Sequence, residues 1–159
     1  MHRHFYKIAF LVLCVTTIGK AQTVSVYKID QLTQRIYNNS DTTYIVNFWA
    51  TWCKPCVEEM PEFEKFRNAH LSHPVKVILI SMDFIEDLHK KLIPFISKNH
   101  YSSEIILLDE INGNDFINKI NEHWSGAIPA TVVTSKNKSK QLFFEKKVTC
   151  ELLEEALKN

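Results

Sequence analysis

Glycine and proline are scarce, 3 and 5 in 159 residues. That excludes collagen-like repeats, and no Pro-, Gly- or Ser-rich tract divides the chain. Four cysteines in this length are too few for a disulfide scaffold. No charge of one sign dominates, with 19 basic residues against 18 acidic ones, so no basic field points to nucleic acid. An apolar run of the roughly 20 residues needed to span a bilayer is also missing. What is present is 45% hydrophobic residues, too many for intrinsic disorder and enough for one domain with a real core.

The first 21 residues stand apart. A basic start (Met-His-Arg-His-Phe-Tyr-Lys) precedes an 11-residue apolar run from Ile8 to Ile18, then Gly19-Lys20-Ala21. This is the pattern of a cleaved secretory signal, with cleavage expected between Ala21 and Gln22. Bulky Leu13 before Cys14 argues against a lipoprotein cysteine. Residues 22–159 are then the folded domain. Removal of residues 1–21 takes away Arg3, Lys7 and Lys20, leaving 16 basic against 18 acidic residues and a net charge of −2. Cys53, Cys56 and Cys150 remain, in an oxidising compartment unless a reductant is supplied.

The rest of the chain alternates strand and helix signals. Val24 to Tyr27 reads as a short strand. Asp30 is placed to cap a helix with Leu32, Ile36 and Tyr37 inward. Tyr44 to Trp49 is a buried strand. A helix is expected from Cys53 to about His70, with Met60, Phe63 and Phe66 on one side and Pro61 as a kink. Val75 to Met82 is the most strand-like stretch, followed by a helix from Asp87 to Lys98 that Pro94 bends or splits. Glu104 to Leu108 reads as a strand and Asp115 to Trp124 as a helix. Ala130 to Thr134 and Gln141 to Val148 read as strands joined by a turn at Lys136-Asn137-Lys138-Ser139. Thr149 caps a last helix carrying Leu152, Leu153, Ala156 and Leu157. The fold expected is one α/β domain, a mixed central sheet with helices on both faces, ending in an antiparallel hairpin.

Chemistry concentrates at Cys53-Lys54-Pro55-Cys56. Between a strand and a helix, Cys53 occupies the helix N-terminus, where free N–H groups and the helix dipole favour an anion. Such a site lowers a thiol pKa from about 8.5 into the range of roughly 3.5–7.5. Lys54 adds positive charge, and Pro55 suits the first helical turn. Cys56 falls one turn further in, within disulfide reach of Cys53. The pattern is that of an exposed nucleophile and a hidden resolving thiol. A structural zinc site wants four ligands, commonly two such pairs. Here only Cys150 and scattered histidines remain, so no metal is expected, and a copper(I) carrier using both thiolates is the alternative from another class. His70 and His73 share a helical face at a helix end, where histidine is favoured without a metal. Cys150 is expected to be a low-reactivity thiol.

Asn47-Phe48-Trp49-Ala50-Thr51-Trp52-Cys53-Lys54-Pro55-Cys56 resembles the active-site signature of the thioredoxin superfamily. The continuation Val57-Glu58-Glu59-Met60-Pro61 is similar to its exported TlpA/ResA-like branch. Ala127-Ile128-Pro129-Ala130-Thr131 resembles the superfamily's cis-proline loop. The resemblance implies a thioredoxin-like fold with one extra αβ unit, Asp87 to Leu108, between the CxxC helix and the cis-Pro loop.

The same resemblance implies roles. Asn47 stands where thioredoxin has a buried Asp, and an amide cannot titrate. Glu59, one turn beyond Cys56 on the same helix face, becomes the group expected to move the resolving proton, its pKa raised if it is buried. Pro129 is expected to be cis and to set the backbone of Ile128 beside the nucleophilic sulfur, where it can pair with an extended substrate segment. Trp52, Lys54, Pro55 and Ile128 form the expected contact surface for that substrate. The catalytic set is then Cys53, Cys56, Glu59 and Pro129, with no cofactor. The activity implied is thiol–disulfide exchange by an exported or periplasmic monomer. It reduces disulfide-bearing client proteins, cytochrome c maturation being one suggestion, and is recharged by a membrane-side thiol reductant. A disulfide-forming oxidase or isomerase is the nearest rival.

Overall fold

The structure, a computed structural model, describes residues 23–38, 41–134 and 141–158. The signal segment, Cys14 and the expected turn at 136–139 lie outside the described residues.

The chain runs β1 (Ser25–Tyr27), α1 (Ile29–Ile36), β2 (Thr43–Trp49), α2 (Lys54–Ala69), β3 (Val75–Ser81), α3 (Ile93–Asn99), β4 (Glu104–Leu108), α4 (Gly113–Ile120), β5 (Ala130–Thr134), β6 (Leu142–Phe144) and α5 (Cys150–Lys158). The six strands form one sheet in the order β1-β4-β3-β2-β5-β6. β1, β4, β3 and β2 pair in parallel, while β5 is antiparallel to both β2 and β6. The mixed sheet expected from the alternation is therefore present, and β4 lies between β1 and β3. Parallel strands need both faces covered, and both are. Buried residues of α1 and α4 pack on one face; those of α2, α3 and α5, on the other.

Strand alternation decides what each face receives. In β2, Ile45 and Trp49 join the core under α2, while Tyr44, Val46 and Phe48 join the opposite core. Phe63 and Phe66 of α2 are fully buried on the first face, each contributing roughly 1.5–3 kcal/mol relative to exposure.

Several local expectations are corrected. Asp30 is not the cap of α1: Lys28 is, its N–H donating to Gln31 Oε1 at 2.8 Å. Asp30 sits in the first turn, where an acid suits the dipole, and pairs with Lys119 at 2.8 Å. The segment before Pro94 is not one α-helix but a 3-10 turn (Ile85–Asp87) and a π-helical turn (Leu88–Leu92), with α3 starting beside the proline. α4 begins at Gly113, capped by Asn112 Oδ1, which accepts from Asn114 N–H at 3.1 Å, and ends at Ile120. Trp124 therefore lies beyond the helix; its indole donates to the Ala127 carbonyl at 2.8 Å. The last strand stops at Phe144 rather than Val148. Phe144 pairs with Thr131, so Lys146 would face Pro129, which has no N–H to offer a ladder. α2 runs through Pro61 from Lys54 to Ala69. Thr149 does cap α5, its hydroxyl accepting from Leu152 N–H at 3.3 Å.

Candidate active site

β2 ends at Trp49 and a turn carries the chain into α2. Cys53 N–H donates to the Ala50 carbonyl at 3.1 Å, closing that turn. Cys53 is the N-cap of α2, its sulfur accepting from Cys56 N–H at 3.4 Å. This is the helix-terminal placement the spacing demanded. Pro55 lies in the first turn of α2, and Pro55 and Lys54 are exposed. Cys53 and Cys56 are joined by a disulfide, with their Cα atoms 5.3 Å apart.

The expected contrast between an exposed and a hidden thiol needs correction. Cys56 is fully buried, but Cys53 is itself only 6% exposed. Its sulfur is engaged with Cys56 and lies 3.8 Å from the Ile128 carbonyl oxygen, so the pair is screened from water in this oxidised state. Trp52 is exposed at the site, at 64%, alongside Lys54 and Pro55.

The Ile128–Pro129 peptide is cis, as the resemblance implied. Ile128 is half-buried and Pro129 buried. The loop thus brings Ile128 to Cys53 across 75 residues of sequence.

Glu59 is buried on the inner face of α2, 1% exposed. Its two oxygens are both used: Oε1 accepts from Asn47 Nδ2 and Oε2 from Val148 N–H, each at 2.8 Å. Asn47 Nδ2 also donates to Thr131 Oγ1 at 3.0 Å, while Asn47 Oδ1 is buried with no hydrogen-bond partner. Burial pushes the Glu59 carboxyl up from 4.5 to about 7, against the lowering pull of the Val148 N–H, the Asn47 amide and the Lys147 charge. A carboxyl poised near neutrality can both take and return a proton. Glu58, its neighbour, points out and pairs with Lys147 at 2.8 Å.

Sequence reasoning missed three participants. Val148 supplies the second donor to Glu59 from 89 residues away. Thr51 and buried Asp83 form a half-buried tie behind the turn, with Thr51 Oγ1 donating to Asp83 Oδ1 at 2.6 Å. None carries a local signal; only the proximity of Thr51 to the CxxC pointed toward that tie.

The other residues singled out stay apart from this site. His70 stacks on Phe66 with ring centroids 4.3 Å apart and lies 3.5 Å from Glu154. Cys150 is a buried free thiol whose pKa is raised by burial. Among the described residues no three His, Cys, Asp or Glu side chains gather to hold a metal. No described helix is long and apolar enough to cross a membrane.

A redox-type CxxC at a helix start, facing a cis-proline loop on a mixed sheet, defines a thioredoxin-like protein. The chain belongs to the AhpC/TSA family, which it matches over residues 19–139. Among curated proteins it is similar to sporulation thiol-disulfide oxidoreductase A of Bacillus subtilis (strain 168), 33% identical over 69 residues, covering 43% of this chain and 42% of that one. It is also similar to thiol-disulfide oxidoreductase ResA of Oceanobacillus iheyensis, 32% identical over 59 residues, 37% of this chain and 31% of that one. The matched segments thus span less than half the length of either relative. Among solved structures, a thioredoxin-related protein from Neisseria meningitidis serogroup B superposes with a TM-score of 0.64 at 27% identity, covering 75% of this chain and 84% of that one. StoA from Bacillus subtilis superposes at 0.57 and 24% identity, covering 74% and 84%, and shows the same fold.

Proposed function

We propose that this chain is an exported thiol–disulfide oxidoreductase that reduces disulfides in partner proteins. The observation that carries the reading is the Cys53–Cys56 disulfide at the start of α2 with a buried carboxyl, Glu59, one turn further on. The names of the curated relatives, both thiol-disulfide oxidoreductases, support it. The secretory pattern of residues 1–21 supports export.

In the reduced protein the Cys53 thiolate, stabilised by the N-terminus of α2, attacks one sulfur of a client disulfide. The other client sulfur leaves as a thiolate and takes up a proton. Glu59 accepts the Cys56 proton, and the Cys56 thiolate attacks Cys53 Sγ. The client is released with two electrons gained, and the Cys53–Cys56 disulfide forms. A dithiol donor on the membrane side restores the reduced pair. Trp52, Lys54 and Pro55 contact the client, while the Ile128 backbone beside Cys53 pairs with its extended segment. Clients in cytochrome c maturation fit the TlpA/ResA-like resemblance.

Changing Cys53 to Ser should abolish reduction of insulin disulfides, and Cys56→Ser should accumulate mixed disulfides with clients. Retained activity in Cys53→Ser overturns the reading. Reduction potentials in this fold run from about −270 to −120 mV. A midpoint well below that of glutathione supports the reductase direction, and one well above it makes the protein an oxidant instead.

A further inference from the structure

The last parallel pairing of β2 with β3 is Trp49 with Ser81, and Met82 N–H closes the ladder on the Trp49 carbonyl at 2.7 Å. Beyond it the two chains diverge, one into the CxxC turn and the other toward α3. A side chain bridges the gap. Asp83, 3% exposed, accepts the Thr51 hydroxyl at Oδ1 (2.6 Å), and at Oδ2 it accepts Thr51 N–H (3.1 Å) and the Ser81 hydroxyl (2.8 Å). Its own N–H donates to Ser81 Oγ at 3.1 Å. A carboxylate is costly to bury, and here its lone pairs meet several donors.

Thr51 is the second residue of the Ala50–Cys53 turn, and both its N–H and its hydroxyl are spent on Asp83. The tie therefore fixes the backbone that delivers Cys53 to its cap position. While the disulfide is closed, Cys56 also holds Cys53 in place. Once the disulfide opens, that covalent restraint is gone, and the turn is what keeps the free sulfur over the N-terminus of α2. We infer that Asp83 is a positioning residue for the Cys53 thiolate, acting through Thr51 to hold the nucleophile at the helix start in the reduced protein. This rests on the thiol–disulfide exchange reading above.

The test uses the full reduced protein and follows iodoacetamide alkylation of Cys53 by mass spectrometry across pH, with circular dichroism confirming that each variant is folded. Asp83→Ala should raise the pH at which Cys53 becomes reactive, slowing alkylation at neutral pH by about tenfold, the equivalent of one pKa unit. Asp83→Asn keeps an acceptor for Thr51 and should stay within about twofold of wild type on the same scale. Thr51→Val keeps the N–H but loses the hydroxyl, and should fall between the two. It decides the matter if Asp83→Ala does not fold. An unchanged profile in Asp83→Ala, or in Thr51→Val where that variant decides, overturns the inference. So does an Asp83→Asn profile displaced upward as far as that of Asp83→Ala, because keeping an acceptor for Thr51 would then make no difference; loss of the negative charge alone would lower, not raise, the pH at which Cys53 ionises. The exchange reading is judged separately, by whether wild-type Cys53 ionises more readily than free cysteine. The difference between variants decides the Asp83 role in either case.

Discussion

The two faces of the sheet carry different burdens. Under α1 and α4 the fill is mainly aliphatic and aromatic, with Trp124 set 4.7 Å from Phe48 and 5.9 Å from Phe116, centroid to centroid. Under α2 the same sheet has Asn47 and Thr131 hydrogen-bonded to each other and Asn47 to Glu59, with both redox sulfurs in the adjacent core. Buried polar groups cost stability unless every lone pair and proton finds a partner, and Asn47 Oδ1 has none. The lesson is one of division. Both faces bury apolar cores, and the one beneath α2 uses part of its own to keep a carboxyl and a disulfide out of water.

That division can be broken by mutation. Trp124→Ala should cost the most stability, about 3–5 kcal/mol, in urea denaturation. The Cys53–Cys56 midpoint should stay unchanged at temperatures where the variant is folded. A cost below about 1 kcal/mol, far under the usual range for such truncations, would show that this face is not where cohesion lies.

Glu59 gives the second effect, through pH. Its folded carboxyl titrates near 7 and its ordinary value is 4.5, so the folded state holds the proton more tightly than the unfolded one. The sign follows: the Glu59 contribution to stability is fully present below pH 4.5, falls as pH rises toward 7, and then levels off. The fall attributable to this residue is about 3 kcal/mol, the rise from 4.5 to about 7 taken at about 1.36 kcal/mol per pKa unit. Glu59→Gln should flatten that part of the stability–pH curve, and a slope identical to wild type would remove the buried carboxyl as its source. The smallest effect belongs to the surface. Lys147→Gln breaks an exposed ion pair with Glu58 and should leave the denaturation midpoint essentially where it was. A clear loss would mean that the pull of the Lys147 charge on buried Glu59 outweighs that of the exposed pair.

Much of this architecture was legible in the amino-acid order. β4 and β5 fall at Glu104–Leu108 and Ala130–Thr134, as their short apolar runs indicated, because a buried strand leaves an uninterrupted local pattern. The placement of Cys53 at a helix start followed from spacing, as did that of Glu59 one turn beyond Cys56; the burial of Glu59, on which its raised pKa was made conditional, depends on Asn47 and Val148 far along the chain. The errors were non-local. β6 is short because of the proline it would have faced across the sheet, and no periodicity within 141–148 records that neighbour. α1 starts two residues earlier than a helix capped by Asp30 would, because Gln31 accepts the Lys28 N–H instead. The Thr51–Asp83 tie joins residues 32 apart, each unremarkable alone. Cys53 read as exposed because exposure depends on a disulfide partner and on an Ile128 carbonyl that arrives late in the chain.

That late arrival has a consequence in time. Glu59 receives its second donor from Val148, and Glu62 of the same helix receives Cys150 N–H at 2.9 Å. During synthesis both cysteines leave the ribosome some 90 residues before the segment that cloaks their neighbouring acid. A nascent chain stopped short of Val148 would own a complete CxxC helix, yet its acid would lack that donor. The hydrogen-bond shell of Glu59 is finished only when the tail of the polypeptide is made.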